Sequence, residues 1–212
     1  FMSFSKLKLS DPILKAVAEA GYTAPTAIQK QAIPIILSGR DLVSAAQTGT
    51  GKTASFVLPI LEKFNVERKL RGKRIRALIL TPTRELAIQV EANVAKYSKY
   101  LNLSSMVMYG GVDSGPQRQR LIYGVDILVA TPGRLIDMMY QRVLHFDELE
   151  ILVLDEADKM LDMGFINDIE KIIERLPSQR QSLLFSATLT KEVRFLADTV
   201  NEDAVEISVP PS

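Results

Sequence analysis

From Ala46 to Thr53 the chain reads AQTGTGKT, between the apolar residues Leu42, Val43 and Ala45 and a run of helical character from Ala54 to Leu61. Strand, glycine-containing turn, Lys-Thr and helix is the layout of a phosphate-binding P-loop. Gly49 and Gly51 let the backbone turn tightly and bring N–H groups against phosphate oxygens. The helix N-terminus behind them adds partial positive charge. Lys52 has the reach for β- and γ-phosphates, and Thr53 offers a hydroxyl to Mg²⁺. The first position, Ala46, departs from the glycine of the general pattern. Lys52 and Thr53 after a glycine would by themselves fit a plain surface turn; the flanking strand and helix argue for the phosphate site.

Six further apolar runs extend the pattern: Ala77 to Leu80, Ser104 to Tyr109, Ile127 to Ala130, Ile151 to Leu154, Leu183 to Phe185 and Val205 to Val209. Helical spacing fills the intervals. Near-continuous apolar strands alternating with helices predict an α/β fold: a mostly parallel sheet of about seven strands with helices on both faces. At 212 residues with 47% apolar content, one large domain or two small ones would fit. Before the P-loop, Ser10-Asp11-Pro12 is expected to start a helix capped by Ser10 or Asp11 and ended by Gly21. A second helix is expected to stop near Gly39. The basic stretch Arg68, Lys69, Arg71, Lys73, Arg74 reads as a solvated connector.

Composition narrows the function. Lys plus Arg number 26 against 25 Asp plus Glu, so nothing argues for a generally polycationic nucleic-acid binder, and any such contact must be local. The chain has no cysteine, which removes disulfides and thiolate metal sites and fits a reducing compartment; the cytoplasm is the expected location. His145 is the sole histidine, which argues against a His-based triad or a multi-histidine metal site. No apolar run approaches the ~18 residues of a membrane span, and no signal-peptide pattern opens the chain.

In parallel sheets ligands sit at the carboxyl ends of strands, where most polar motifs of this sequence fall. Asp155 follows four apolar residues. A nucleotide site needs a carboxylate there to hold Mg²⁺ through its water shell, and a neighbour to orient the attacking water. Asp155 suits the first role and Glu156 the second. Acidic residues at a helix start are also ordinary capping chemistry. Thr81-Pro82-Thr83-Arg84 and Thr131-Pro132-Gly133-Arg134 each follow an apolar strand, with Thr expected as N-cap and Pro at the first helical position. A cation in the first turn opposes the helix dipole by roughly 0.3–1 kcal/mol. Having it twice suggests a bound anion, a polyphosphate backbone; pairing of Arg84 with Glu85 and of Arg134 with Asp137 is the alternative. Tyr22 offers a face for stacking a base, and the Gln29 amide a bidentate match to adenine N6 and N7. Taken alone, Tyr22 would also fit a core and Gln29 a helix surface.

These motifs together resemble the DEAD-box family of ATP-dependent RNA helicases, nearest to the bacterial RhlE-like type, from Phe4 to about Val209. The resemblance implies a RecA-like P-loop NTPase domain. It implies that Phe4 with Tyr22, Thr23 and Gln29 forms an adenine-recognising region spanning residues 4–29. Ala46, Gln47, Thr48, Gly49, Thr50, Gly51, Lys52 and Thr53 cradle the phosphates of ATP. Thr53 and Asp155 hold Mg²⁺, largely through water; Lys52, Asp155 and Glu156 are the catalytic set. Pro82, Thr83, Arg84, Gly110, Gly111, Thr131, Pro132, Gly133, Arg134 and Asp137 are implied to line single-stranded or short duplex RNA. Asp158, Ser186 and Thr188 link nucleotide state to strand separation. The family carries a second RecA-like domain with arginine fingers, and none of its motifs is in this sequence. Residues 1–209 are therefore expected to be a first domain and residues 210–212 the start of a linker. Phe1 ahead of Met2 is expected to be a cloning remnant before the natural start. An ATP-gated RNA clamp without productive unwinding uses the same motifs. A P-loop GTPase is disfavoured, because no NKxD-type guanine reader is present.

Overall fold

The computed structural model describes residues 3–47, 51–66 and 74–210. Thr48, Gly49 and Thr50 of the phosphate turn, the basic residues Arg68, Lys69, Arg71 and Lys73, and residues 211–212 lie outside that description. Every apolar run forms a strand: β1 Leu42–Ala45, β2 Ala77–Leu80, β3 Ser105–Met108, β4 Ile127–Ala130, β5 Ile151–Leu154, β6 Gln181–Ser186 and β7 Val205–Ser208. They make one seven-stranded sheet in the order β3-β4-β2-β5-β6-β1-β7, with every pair parallel.

The uninterrupted apolar character of β2, β4 and β5 follows from where their side chains go. Successive residues point to opposite faces. Ala77 and Ile79 enter one core while Leu78 and Leu80 enter the other. A strand covered on both faces favours apolar side chains throughout; Ser44 of β1 and Ser182 of β6 are buried polar exceptions. On the first face lie a short 3₁₀ turn, Phe4–Leu7, and helices α1 Asp11–Glu19, α2 Ala27–Leu37, α3 Lys52–Phe64 and α4 Arg84–Tyr97. On the second lie α5 Gly115–Tyr123, α6 Pro132–Tyr140, α7 Ala157–Asp162, α8 Ile166–Glu174 and α9 Lys191–Val200. At the amino end of β1, the Asp41 carboxylate accepts N–H bonds from Ser182 (2.9 Å) and Glu202 (2.7 Å), which ties β1 to both of its neighbours' chain segments.

Several boundaries differ from expectation. Helix α3 starts at Lys52, two residues early, because Gly51 (φ +83°) turns the chain directly into the helix. Ser10 occupies the cap position of α1, but neither its hydroxyl nor Asp11 caps it; the Ser10 N–H donates to Glu62 at 2.6 Å. The two Thr-Pro loops are not equivalent. At α6 Thr131 stands at the N-cap position and Pro132 first, as expected, although the Thr131 hydroxyl makes no capping bond. At α4 the cap is Thr83, whose hydroxyl accepts from the Leu86 N–H at 3.2 Å, while Thr81 is buried at the end of β2 and Pro82 stays outside the helix. Arg84 is thus the first residue of its helix and Arg134 the third.

Candidate active site and nucleic-acid groove

Strand β6 lies between β1 and β5, so the tips carrying the P-loop and Asp155 are two strand spacings apart, about 10 Å. Lys52 spans that gap. Its ammonium lies 2.8 Å from Asp155 and 3.6 Å from Glu156. All three residues are buried, so each charge depends on the others for compensation. Burial pushes the Asp155 carboxyl up; the Lys52 ammonium pulls it back and Glu156 adds to the rise. Consecutive residues of a strand would face opposite ways. Glu156 escapes that rule because it adopts the left-handed conformation (φ 58°, ψ 48°) as the N-cap of α7, which brings its carboxylate to the same lysine. Its side chain makes no capping bond, so helix capping does not explain the pair.

Behind this pair a polar ring joins β6 to α7. The Asp158 N–H donates to the Ser186 hydroxyl (3.3 Å), Ser186 donates to the Thr188 carbonyl (2.6 Å), and Thr188 donates to the Asp158 carboxylate (3.1 Å). These three bonds tie the start of α7 to the chain leaving β6.

Gln29 is 2% exposed, and its amide is engaged inside the protein. Oε1 accepts the Thr26 N–H at 2.9 Å, completing a capping box for α2 with the Thr26 hydroxyl. Nε2 donates to the Gly51 carbonyl at 3.2 Å. Thr-x-x-Gln is the local sequence signal for this cap, and it differs from both the base-reading and the helix-surface expectation for Gln29. Each amide atom keeps one further hydrogen-bonding valence. Phe4 is buried, packed into the core on the first face of the sheet. Tyr22 is 45% exposed, with the Lys96 ammonium 5.9 Å from its ring centre. Thr23 and Gln47 are exposed, Thr53 is half-buried, and the buried Ala46 donates its N–H to Ser186 at 2.9 Å.

The chemistry of the donor set suits Mg²⁺: carboxylate oxygens already balanced by a cation, with Thr53 in the first turn of α3. Among the described residues no group of three or more Asp, Glu, His or Cys side chains could hold a metal ion.

A groove of about 570 Å³ runs along the tips of β2, β3 and β4. It gathers Pro82, Thr83, Arg84, Gly110, Gly111, Thr131, Gly133, Arg134 and Asp137, with Pro132 buried beneath as the first residue of α6. It also takes in Tyr109, Met163 and Phe165, which carry no motif-like signal in the sequence. Arg84 is exposed and lies over the Tyr109 ring at 4.9 Å instead of pairing with Glu85. Arg134 is mostly enclosed: it donates to Gln117 (3.1 Å) and to the Val112 carbonyl (2.8 Å), and approaches Asp137 at 3.9 Å.

The sequence pattern of the DEAD/DEAH box helicases matches residues 26–196, from the cap of α2 into α9. The chain belongs to the DEAD/DEAH box helicase family. A DEAD-box ATP-dependent RNA helicase of Helicobacter pylori, RhpA, is 43% identical over 210 residues, covering 99% of this chain and 42% of the relative. The ATP-dependent RNA helicase CshA of Limosilactobacillus reuteri is 46% identical, covering 98% of this chain and 42% of its own length. The crystal structure of a DEAD box protein from Methanococcus jannaschii superposes with a TM-score of 0.90 at 40% identity, over 98% of this chain and 56% of that one. The fold is thus the RecA-like domain of DEAD-box helicases, and this chain spans about two-fifths of the bacterial relatives. These levels do not single out the RhlE-like subtype. Among the described residues no helix is long and apolar enough to cross a membrane.

Proposed function

We propose that the chain is the ATP- and RNA-binding first domain of a cytoplasmic DEAD-box RNA helicase that couples ATP hydrolysis to local unwinding of short duplexes or remodelling of RNA–protein complexes. One observation carries this reading: Lys52 meeting Asp155 and Glu156 across the intervening strand. A lysine that balances two buried carboxylates can exchange them for phosphate when Mg²⁺ arrives with the nucleotide. Lys52 then binds β- and γ-phosphates with the Gly49–Thr53 backbone. Thr53 and Asp155 would hold Mg²⁺, which neutralises charge developing on the phosphates. Glu156 orients water for in-line attack. Tyr22 stacks adenine, and Gln29 reads its edge while holding Gly51.

Single-stranded RNA is proposed to lie in the groove over Arg84, Gly110, Gly111, Thr131 and Gly133, through phosphates and 2′-hydroxyls and so largely without sequence preference. The polar ring of Asp158, Ser186 and Thr188 couples the two sites. Competition binding tests the nucleotide site: ATP and ADP are expected to displace a fluorescent adenine nucleotide from the 212-residue chain, and GTP to do so at least tenfold less well. Equal displacement by GTP would refute the adenine assignment of Gln29.

A further inference from the structure

The resemblance places Arg134 against the nucleic-acid backbone, but its side chain is 9% exposed; Nε lies 3.9 Å from the exposed Asp137 carboxylate, and both terminal nitrogens are engaged within the protein. Nη2 donates to the Val112 carbonyl at 2.8 Å, just beyond the Gly110-Gly111 turn. Nη1 donates at 3.1 Å to Gln117 Oε1. The other end of the same amide, Gln117 Nε2, donates at 3.2 Å to the Tyr109 carbonyl, just before that turn. The double-glycine turn is therefore clasped on both sides, by Arg134 after it and by Gln117 before it, with the two clasps bonded to each other. Gly111 sits at φ +83°, a conformation that leaves its turn few local restraints.

We infer that Gln117 and Arg134 form a latch that presents the Gly110-Gly111 backbone to single-stranded RNA, both acting as positioning residues and neither supplying the phosphate contact. The inference rests on the groove reading above. An arginine fork is needed because two separate acceptors must be reached in one plane, which a lysine ammonium on a flexible stem does not reproduce. Holding a turn in its binding geometry raises affinity by removing the cost of ordering it. It adds no charge to the interface, so the number of displaced counterions stays the same.

The test is anisotropy of labelled single-stranded oligouridine with the 212-residue chain at several salt concentrations. Gln117→Leu, Arg134→Gln and Arg134→Lys are each expected to weaken binding about fivefold to tenfold with the salt slope unchanged. The double variant Gln117→Leu/Arg134→Gln should bind no worse than Arg134→Gln alone. Arg84→Ala, which removes an exposed cation, should instead lower the slope by about 0.7. Adenine-nucleotide affinity should stay at the parent value. Should Gln117→Leu impair folding, Arg134→Lys still decides. Near-parental binding by Arg134→Lys, or a lower slope for Arg134→Gln, would make Arg134 a phosphate ligand and overturn the latch. So would parental binding by Gln117→Leu, or an undiminished Gln117→Leu effect in the Arg134→Gln background. If Arg84→Ala also binds as the parent does, the groove assignment itself fails.

Discussion

Gly51 shows how little room the site leaves at the level of single residues. Its φ of +83° disfavours any side chain, and a Cβ there would come within 2.6 Å of the Thr26 hydroxyl and overlap the Gln29 amide. Gly51→Ala is therefore expected to lose nucleotide binding and to destabilise the domain by about 1–3 kcal/mol; chemical denaturation and nucleotide titration measure the two effects. Gln29 holds the carbonyl of that glycine, so its removal should weaken phosphate as well as adenine contacts. Glu156 tests a different link. In the complete protein, Glu156→Gln keeps the shape of the site but leaves water without its carboxylate partner. ATP should still bind, and turnover should fall to background; single-turnover kinetics with labelled ATP would expose any residual hydrolysis. Unaltered turnover would remove Glu156 from the proposed role.

At the scale of elements, the nucleotide side of the sheet depends on α1 and α4 keeping their places. Glu19, the last residue of α1, pairs with Lys99 and accepts a hydrogen bond from Tyr100, both just past the end of α4. Its carboxyl lies below the ordinary value of 4.5, chiefly through the Lys99 bond and then through Tyr100. A carboxyl whose folded pKa is depressed contributes stability above its unfolded pKa and loses that contribution as pH falls through the folded one. Glu19→Gln should accordingly melt slightly below the parent at neutral pH. The gap should close in acid, below the usual carboxylate range of about 4. Paired thermal melts across pH check this, and a gap that widened in acid would contradict the sign. Salt should shrink it too, because the pair is exposed.

For the whole molecule, the nucleotide site and the groove open at the same carboxyl edge of one sheet. Strand tips β1, β5 and β6 serve the first, and β2, β3 and β4 the second. An arginine finger from a second domain is worth roughly 10³–10⁵ in rate. The 212-residue chain is therefore expected to bind adenine nucleotides, to hydrolyse ATP slowly and to leave duplex RNA intact. Phosphate release and a strand-displacement assay on the purified chain measure both, and robust unwinding would overturn the need for a second domain.

Strands β2, β4 and β5 were legible in the sequence because burial on both faces favours an unbroken apolar run, and four such residues in a row leave a strong local signal. The Gly-Lys-Thr turn and the acidic pair stood out for a similar reason: each is a short string of particular residue types at fixed spacing, close together in the chain. Local signals failed where the deciding partner was remote. Thr83 rather than Thr81 caps α4 because Thr81, directly after β2, is buried with its N–H bonded to the Ala130 carbonyl of the neighbouring strand. Gln117 sits among the polar residues of α5 and gains meaning only when Tyr109 and Arg134 converge on its amide. Gln29 reads as a surface or base-reading residue until α2 packs beside Gly51. Sequence alone thus determined the sheet, its strand tips and the charged groups carried there, all set by periodicity and short-range chemistry. Which tip faces which, whether two adjacent carboxylates share one lysine, and whether an arginine looks out to a ligand or inward to a turn were decided by tertiary structure, since strand order and packing alone bring distant residues within hydrogen-bonding reach.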